Sequence, residues 1–298
     1  MAQNLNPQQQ AALQYIDGPL LVLAGAGSGK TSVITKKIAY LVEDCGIPAR
    51  NIAAVTFTNK AAREMKARVS SLLGKENGKG LTVSTFHNLG LTIIRTEIKA
   101  LGFRPGFSIL DQEDCRKLIK ELLVRHTELD EKLIDTAQNT ISNWKNSLLE
   151  PGSAVSAANS TGEQGIAMLY ERYQRALKAY NAVDFDDLIM TPVLLFKQQP
   201  EILAKWQRRI RYLLVDEYQD TNLAQYELVK TLVNEKQALT VVGDDDQSIY
   251  AWRGARPENL MQLQEDFPSL NIIKLEQNYR STGRILKAAN TLILSLIH

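Results

Sequence analysis

Six short runs of aliphatic and β-branched residues punctuate the chain, at 19–24, 52–57, 81–86, 212–217, 239–244 and 272–275, and they read as buried strands of one sheet. Most are followed by segments with helical spacing, such as 30–42 and 60–73. Strands alternating with helices imply crossover connections and a parallel α/β sheet. From about residue 87 to 196 that rhythm stops. Apart from a short strand-like run at 107–110, the patterns there are helical, for example 114–124, 131–146 and 164–180. The expectation is a helical domain inserted between two halves of an α/β domain. Residues 150–165, rich in Pro, Gly, Ser, Ala and Asn, predict an exposed loop. No internal repeat or low-complexity tract is visible.

Composition narrows the class without naming a partner. The 298 residues are 44% hydrophobic, enough for a substantial core. Lys and Arg number 35 against 33 Asp and Glu, a net charge of +2, so any nucleic-acid site must be a local feature. Cys45 and Cys115 lie far apart, without CxxC spacing or a histidine cluster, which argues against a disulfide framework or a zinc site and fits a reducing cytoplasm. The start has no basic segment followed by an apolar stretch, and no run approaches the ~20 apolar residues of a membrane span, so neither secretion nor a membrane partner is expected.

Candidate chemistry begins at Ala24-Gly25-Ala26-Gly27-Ser28-Gly29-Lys30-Thr31, which follows an apolar strand and opens a helix. In that setting glycines let backbone N–H groups face phosphates and the helix N-terminus adds positive potential. Lys30 reaches the outer phosphates and Thr31 can hold Mg²⁺. Ala24 stands where Gly is commoner, and a small residue is what the turn requires. A second element, Tyr212-Leu213-Leu214-Val215-Asp216-Glu217, ends a strand with two carboxylates. Asp216 suits a Mg²⁺-linked role and Glu217 a base or water-positioning role. Alone, the pair reads equally well as a solvated acidic cap; the phosphate loop is what favours the metal reading.

At these residues the chain resembles the superfamily 1 DNA helicases of the UvrD, PcrA and Rep type, most of all the Rep branch, from about residue 5 to 289. Asp216-Glu217-Tyr218-Gln219-Asp220 is similar to the second helicase motif and Gly243-Asp244-Asp245-Asp246-Gln247-Ser248-Ile249-Tyr250-Ala251-Trp252-Arg253-Gly254 to the third. Leu5-Asn6-Pro7-Gln8-Gln9 and Glu276-Gln277-Asn278-Tyr279-Arg280-Ser281 match two further motifs. The resemblance implies an ATP- and Mg²⁺-dependent 3′-to-5′ helicase acting on single-stranded DNA and single-strand/duplex junctions in DNA replication or repair, with a homodimer on DNA within the family's range. It places Gln9 at the adenine edge, Gln247 at the γ-phosphate, Tyr279 stacked on the base and Arg280 as an arginine finger. On the DNA side it points to Phe57, Thr58, Asn59, Thr85, His87, Tyr250, Trp252 and Arg253. Phe57, Tyr250 and Trp252 are the stacking candidates, since aromatic faces bind any base. Read alone, each of these aromatics suits a core better than a platform. The run Arg208-Arg209-Ile210-Arg211 reads either as a DNA patch or as a solvated helix end.

The implied fold is a P-loop, RecA-like parallel sheet (1–87 and 197–278) with an inserted all-helical subdomain (88–196) and the start of a second motor domain (279–298). Two departures stand out. Ser32 occupies the place of an arginine that packs over adenine in the family. The family also continues into a second motor domain with another arginine finger, whereas this chain stops at Leu294-Ser295-Leu296-Ile297-His298. The expectation is a front half that binds ATP·Mg²⁺ weakly, hydrolyses it poorly and does not unwind duplex by itself. Two other readings remain: the helicase portion of a helicase–nuclease, and a nucleotide-gated DNA-binding module without turnover.

Overall fold

The computed structural model describes residues 5–25, 27–123, 131–244 and 258–279. Within them, β1 (Leu20–Ala24), β2 (Ile52–Thr56), β3 (Thr82–Thr85), β6 (Tyr212–Val215), β7 (Leu239–Gly243) and β8 (Asn271–Leu275) form one sheet in the order β3-β2-β6-β7-β1-β8. Every pairing in it is parallel. The four inner strands are nearly all apolar because both faces are covered, whereas the edge strands β3 and β8 carry Thr82, Ser84, Thr85, Asn271 and Lys274. Leu21, Ala53, Val55, Leu213, Val215 and Val241 face one core; Leu20, Val22, Ile52, Ala54, Leu214 and Val242 face the other. The period of two that assigns them is simple strand geometry.

The second of these cores is covered by α1 (Pro7–Gln14), α2 (Lys30–Glu43) and α3 (Asn59–Asn77). Lys37 of α2, fully buried, donates to the carbonyls of Ala12 and Tyr15 and ties α1 in place. The first core is covered by α4 (Phe86–Thr96), which follows β3 directly. The chain then enters the insertion through β4 (Ser108–Leu110), α5 (Gln112–Leu123), α6 (Glu131–Asn146), α7 (Pro151–Ala157), α8 (Thr161–Ala179) and β5 (Ala182–Asp184). It returns to the first core with α9 (Asp187–Gln198), α10 (Pro200–Arg209), α11 (Leu223–Leu232) and α12 (Glu258–Asp266).

Two features differ from the expectation drawn from sequence. The insertion is helical except for a parallel ladder pairing β4 with β5, and three residues of β5 are too few to show a period. The segment 150–165 is also largely helical. Pro151 opens α7 at a position that needs no N–H, Ala154 is fully buried against the insertion core, and the Ser160 side chain caps α8 by accepting from Glu163 N–H.

A close approach fixes α4 on α9. Pro192 lies inside α9 and has no N–H to offer the Leu188 carbonyl one turn earlier. That carbonyl faces Gly90 of α4, where an added Cβ would lie 1.8 Å from the oxygen. Gly90→Ala is therefore expected to force the helices apart and cost about 2–3 kcal/mol in urea unfolding. A variant as stable as the parent would mean that α4 and α9 can separate freely.

Candidate functional site

In an all-parallel sheet every strand points the same way, so the segments leaving the strands share one edge. Residues 25–31 leave β1, 57–59 leave β2, His87 follows β3, 216–222 leave β6, Asp244 follows β7 and 276–279 leave β8. Of the predicted site residues, Ala26, Gln247, Tyr250, Trp252, Arg253 and Arg280 lie outside the described residues.

The glycine loop after β1 curls as its glycines allow: Gly27 and Gly29 adopt φ of 77° and 89°, the left-handed region. Gly29 is the residue before α2 and contributes no side-chain cap, leaving that helix's first amides open to an anion. Ser28 is buried, its hydroxyl donating to the Gly25 carbonyl at 2.7 Å. Gln9 packs beneath the loop, its amide donating to the Ser28 carbonyl at 2.9 Å and accepting Asn6 N–H at 3.1 Å. One amide proton and one lone pair of Gln9 remain for a further partner. Tyr279 is half-exposed beside the same loop, its N–H donating to the Gly27 carbonyl at 2.8 Å and its hydroxyl accepting from Asn6 at 2.8 Å.

Lys30 joins this loop to the acidic strand ends. Its Nζ lies 3.5 Å from Glu217 Oε2 and 3.4 Å from Asp244 Oδ2. Glu217 adopts φ of 52°, a strained conformation for a side chain with a Cβ. Asp216 stays buried, accepting the Glu217 N–H at 3.0 Å. Burial, and then the neighbouring Glu217 charge, push the Asp216 carboxyl up to about 7, against the opposing pull of that N–H and of Lys30. Asp220 is likewise raised to about 6 by burial and by Glu217, and its Oδ1 is buried without a hydrogen-bond partner.

The donor set fits magnesium. Thr31, Asp216 and Glu217 offer hard oxygens, and a cation would relieve the cost of ionising buried Asp216. Among the described residues no cluster of three His, Cys, Asp or Glu could hold a metal alone, so phosphate oxygens would have to complete the shell.

Gln219 and Asp244 carry roles that reading the motifs did not assign. The Gln219 amide donates to Glu217 Oε2 at 2.9 Å and accepts Asp244 N–H at 3.0 Å, bridging the ends of β6 and β7. A buried amide among carboxylates is the only local hint of this.

Along the same edge, β2 and β3 are in register with Thr56 opposite Thr85, so the helices that follow begin side by side. Thr58 caps α3 by accepting Ala61 N–H at 3.1 Å, and Thr85 caps α4 by accepting Asn88 N–H at 3.2 Å. Each hydroxyl keeps its proton for an incoming acceptor. Asn59 accepts from the Asn88 amide at 3.1 Å, linking the two helix starts. Phe57 is half-buried against Phe86 with ring centroids 5.3 Å apart. Burial pushes His87 below its usual value, so it is neutral near pH 7. Its ring meets the edge of Phe185 at 6.1 Å, and Phe185 is 52% exposed, a residue the sequence pattern did not single out. The basic run lies elsewhere: Arg208 and Arg209 end α10, Arg211 precedes β6, and all three stand at the opposite edge of the sheet. Arg209 packs over the Trp206 ring at 4.8 Å, the behaviour of a solvated helix end.

Comparison with known proteins agrees with this geometry. Residues 5–268 match the UvrD/REP helicase N-terminal domain family. The ATP-dependent DNA helicase Rep of Escherichia coli (strain K12) is 58% identical over 294 residues, covering 99% of this chain and 44% of that protein. The ATP-dependent DNA helicase PcrA of Bacillus subtilis (strain 168) is 50% identical over 291 residues, covering 97% of this chain and 39% of that one. The chain thus spans less than half the length of the curated relatives it matches. A six-stranded parallel sheet with a glycine loop and two carboxylates at one edge, and this match over most of the residues, place the chain in the UvrD/REP helicase N-terminal domain family.

Proposed function

We propose that these residues form the ATP-binding motor domain of a 3′-to-5′ DNA helicase, in which ATP hydrolysis drives movement along single-stranded DNA and strand separation at junctions. The observation that carries this reading is the position of Lys30, at the mouth of the phosphate loop and within 3.5 Å of Glu217 and Asp244. Residues 1–87 and 197–278 form the motor domain in this reading, 88–196 the insertion and 279–298 the start of a second motor domain.

Lys30 leaves its carboxylate partners for the outer phosphates when nucleotide enters. Amides at the start of α2 hold the inner phosphates, and Gln9 and Tyr279 receive the base. Thr31 and Asp216 would hold magnesium, which would supply positive charge to offset that on the phosphates. Glu217, exposed enough to meet a water molecule, orients it and accepts its proton. Gln247 and Arg280 complete this site in the proposal, and Tyr250, Trp252 and Arg253 the DNA face. Phe57 and Phe185 offer rings to bases, while Thr58, Asn59, Thr85 and neutral His87 bind phosphate or sugar oxygens without reading sequence.

Phosphate release measured with and without an oligo-dT strand tests the proposal, with Glu217→Gln alongside. DNA-stimulated turnover that the variant lacks supports it; Mg·ATP binding with no turnover in the parent would instead favour a nucleotide-gated DNA-binding module. Phe185→Ala is expected to weaken oligo-dT binding by about 1–3 kcal/mol, read by fluorescence anisotropy, as removal of one stacking ring does. Unchanged affinity would remove Phe185 from the DNA face.

A further inference from the structure

Where the insertion meets α9 lies a buried polar cluster that the chemistry above does not use. Lys145, at the end of α6, is completely buried, with Nζ 2.7 Å from Asp184 Oδ2 and 2.8 Å from Asp187 Oδ1. Those carboxylates flank the turn that presents Phe185 beside His87. Asn146, the next residue of α6, faces both ways. Its amide nitrogen donates to Asp186 Oδ1 at 3.0 Å, in the same turn, and its amide oxygen accepts from Asn222 Nδ2 at 2.6 Å.

Asn222 belongs to the acidic loop that leaves β6. Its side-chain oxygen caps α11 by accepting Gln225 N–H at 2.9 Å, and it follows Thr221, whose carbonyl and hydroxyl accept from Asn259. A continuous hydrogen-bonded path therefore runs from the exposed Phe185 turn, through Asp186, Asn146 and Asn222, to the loop that carries Asp216 and Glu217. Both contacts of Asn146 are partly buried, and breaking either leaves polar groups that must find other partners.

We infer that Asn146 is a positioning residue that couples the Phe185 turn to the Asp216–Asn222 loop, so that nucleotide binding and single-stranded DNA binding change each other's affinity. The inference rests on the helicase reading above and adds a route between its two faces. Linkage makes the effect reciprocal, so it can be read from either ligand.

Two variants test it on the 298-residue chain. Asn146→Ala removes both contacts; Asn222→Ser keeps a capping oxygen for α11 but is too short to reach Asn146. Oligo-dT affinity is measured by anisotropy without nucleotide and with saturating Mg·ATPγS, and thermal unfolding is recorded in parallel. The parent is expected to show a shift of about 5- to 150-fold, and each variant a shift below about twofold with nucleotide-free DNA affinity nearly unchanged. Variants that keep the parent's shift overturn the inference, as does loss of both affinities together with a lower melting temperature and an intact ratio, the mark of a purely structural role. A parent that binds both ligands without any shift also overturns it. A parent that binds neither ligand instead overturns the reading of the site itself.

Discussion

Glu217→Gln is expected to bind Mg·ATP about as tightly as the parent and to release phosphate about 10²- to 10⁴-fold more slowly, the usual cost of losing a general base. The substitution preserves shape and removes only charge and basicity. A glutamine oxygen can still accept the Gln219 amide, which now reaches Oε2 at 2.9 Å, so the bridge from β6 to β7 survives. Lys30 retains Asp244 as a partner at 3.4 Å, and the glycine loop keeps its own contacts through Ser28 and Gln9. What disappears is the group able to orient a water molecule and take its proton. Affinity from nucleotide titration and rate from phosphate release separate the two effects. A variant with near-parental turnover would remove Glu217 from the chemistry, and a variant that no longer binds nucleotide would make it a structural support for Lys30.

The second large effect concerns stability. Lys145→Met is expected to cost about 3–5 kcal/mol in urea unfolding, because it leaves buried carboxylates without their cation. In the parent, burial opposes the charge on Lys145, yet Asp187 and Asp184 outweigh it and keep the ammonium protonated. Burial also opposes ionisation of Asp184, but Lys145 holds that carboxyl below its usual range, while Asp187 is pushed up to about 6 by burial and by the Asp184 charge. Tyr173 donates to Asp184 at 2.9 Å and Gln174 to Asp187 at 3.1 Å, bonds too few to replace a full charge.

Removing the lysine raises the folded-state pKa of both carboxyls above their unfolded values. The folded variant then binds more protons than the unfolded chain, so its stability rises as pH falls through those raised values. The deficit should therefore be larger at pH 8 than at pH 5. A deficit independent of pH would point to lost packing against the Tyr170 and Tyr173 rings, which lie 5.9 and 5.2 Å from the ammonium.

Both predictions concern polar groups whose partners are distant in sequence, and this is where reading the chain alone ran short. The glycine loop was legible as a turn into a helix because all its requirements are local: small residues for the turn, a lysine, a threonine and a helix start within eight positions. The acidic pair was legible as a strand end, but its contact with Lys30 was not. Gln219 stood inside a motif without a role, since bridging Glu217 to Asp244 needs β6 and β7 side by side. Phe185 stood out no more than any other aromatic until its ring was found exposed beside His87.

By itself the sequence determined the six strands of the large sheet, helices such as those at 30–42, 60–73, 131–146 and 164–180, their parallel alternation and the glycine turn between β1 and α2, because burial on two faces and backbone geometry at a turn are written within a few adjacent residues. Only the tertiary structure decided the pairing of β5 with β4, the helical state of 151–157, the buried lysine with its carboxylates 39 and 42 residues away, and the Asn146–Asn222 contact across 76 residues. The physical reason is common to all four. A short strand, a marginal helix or a buried polar pair gains its stability from groups brought by other segments, and those groups become neighbours only when the whole fold closes around them.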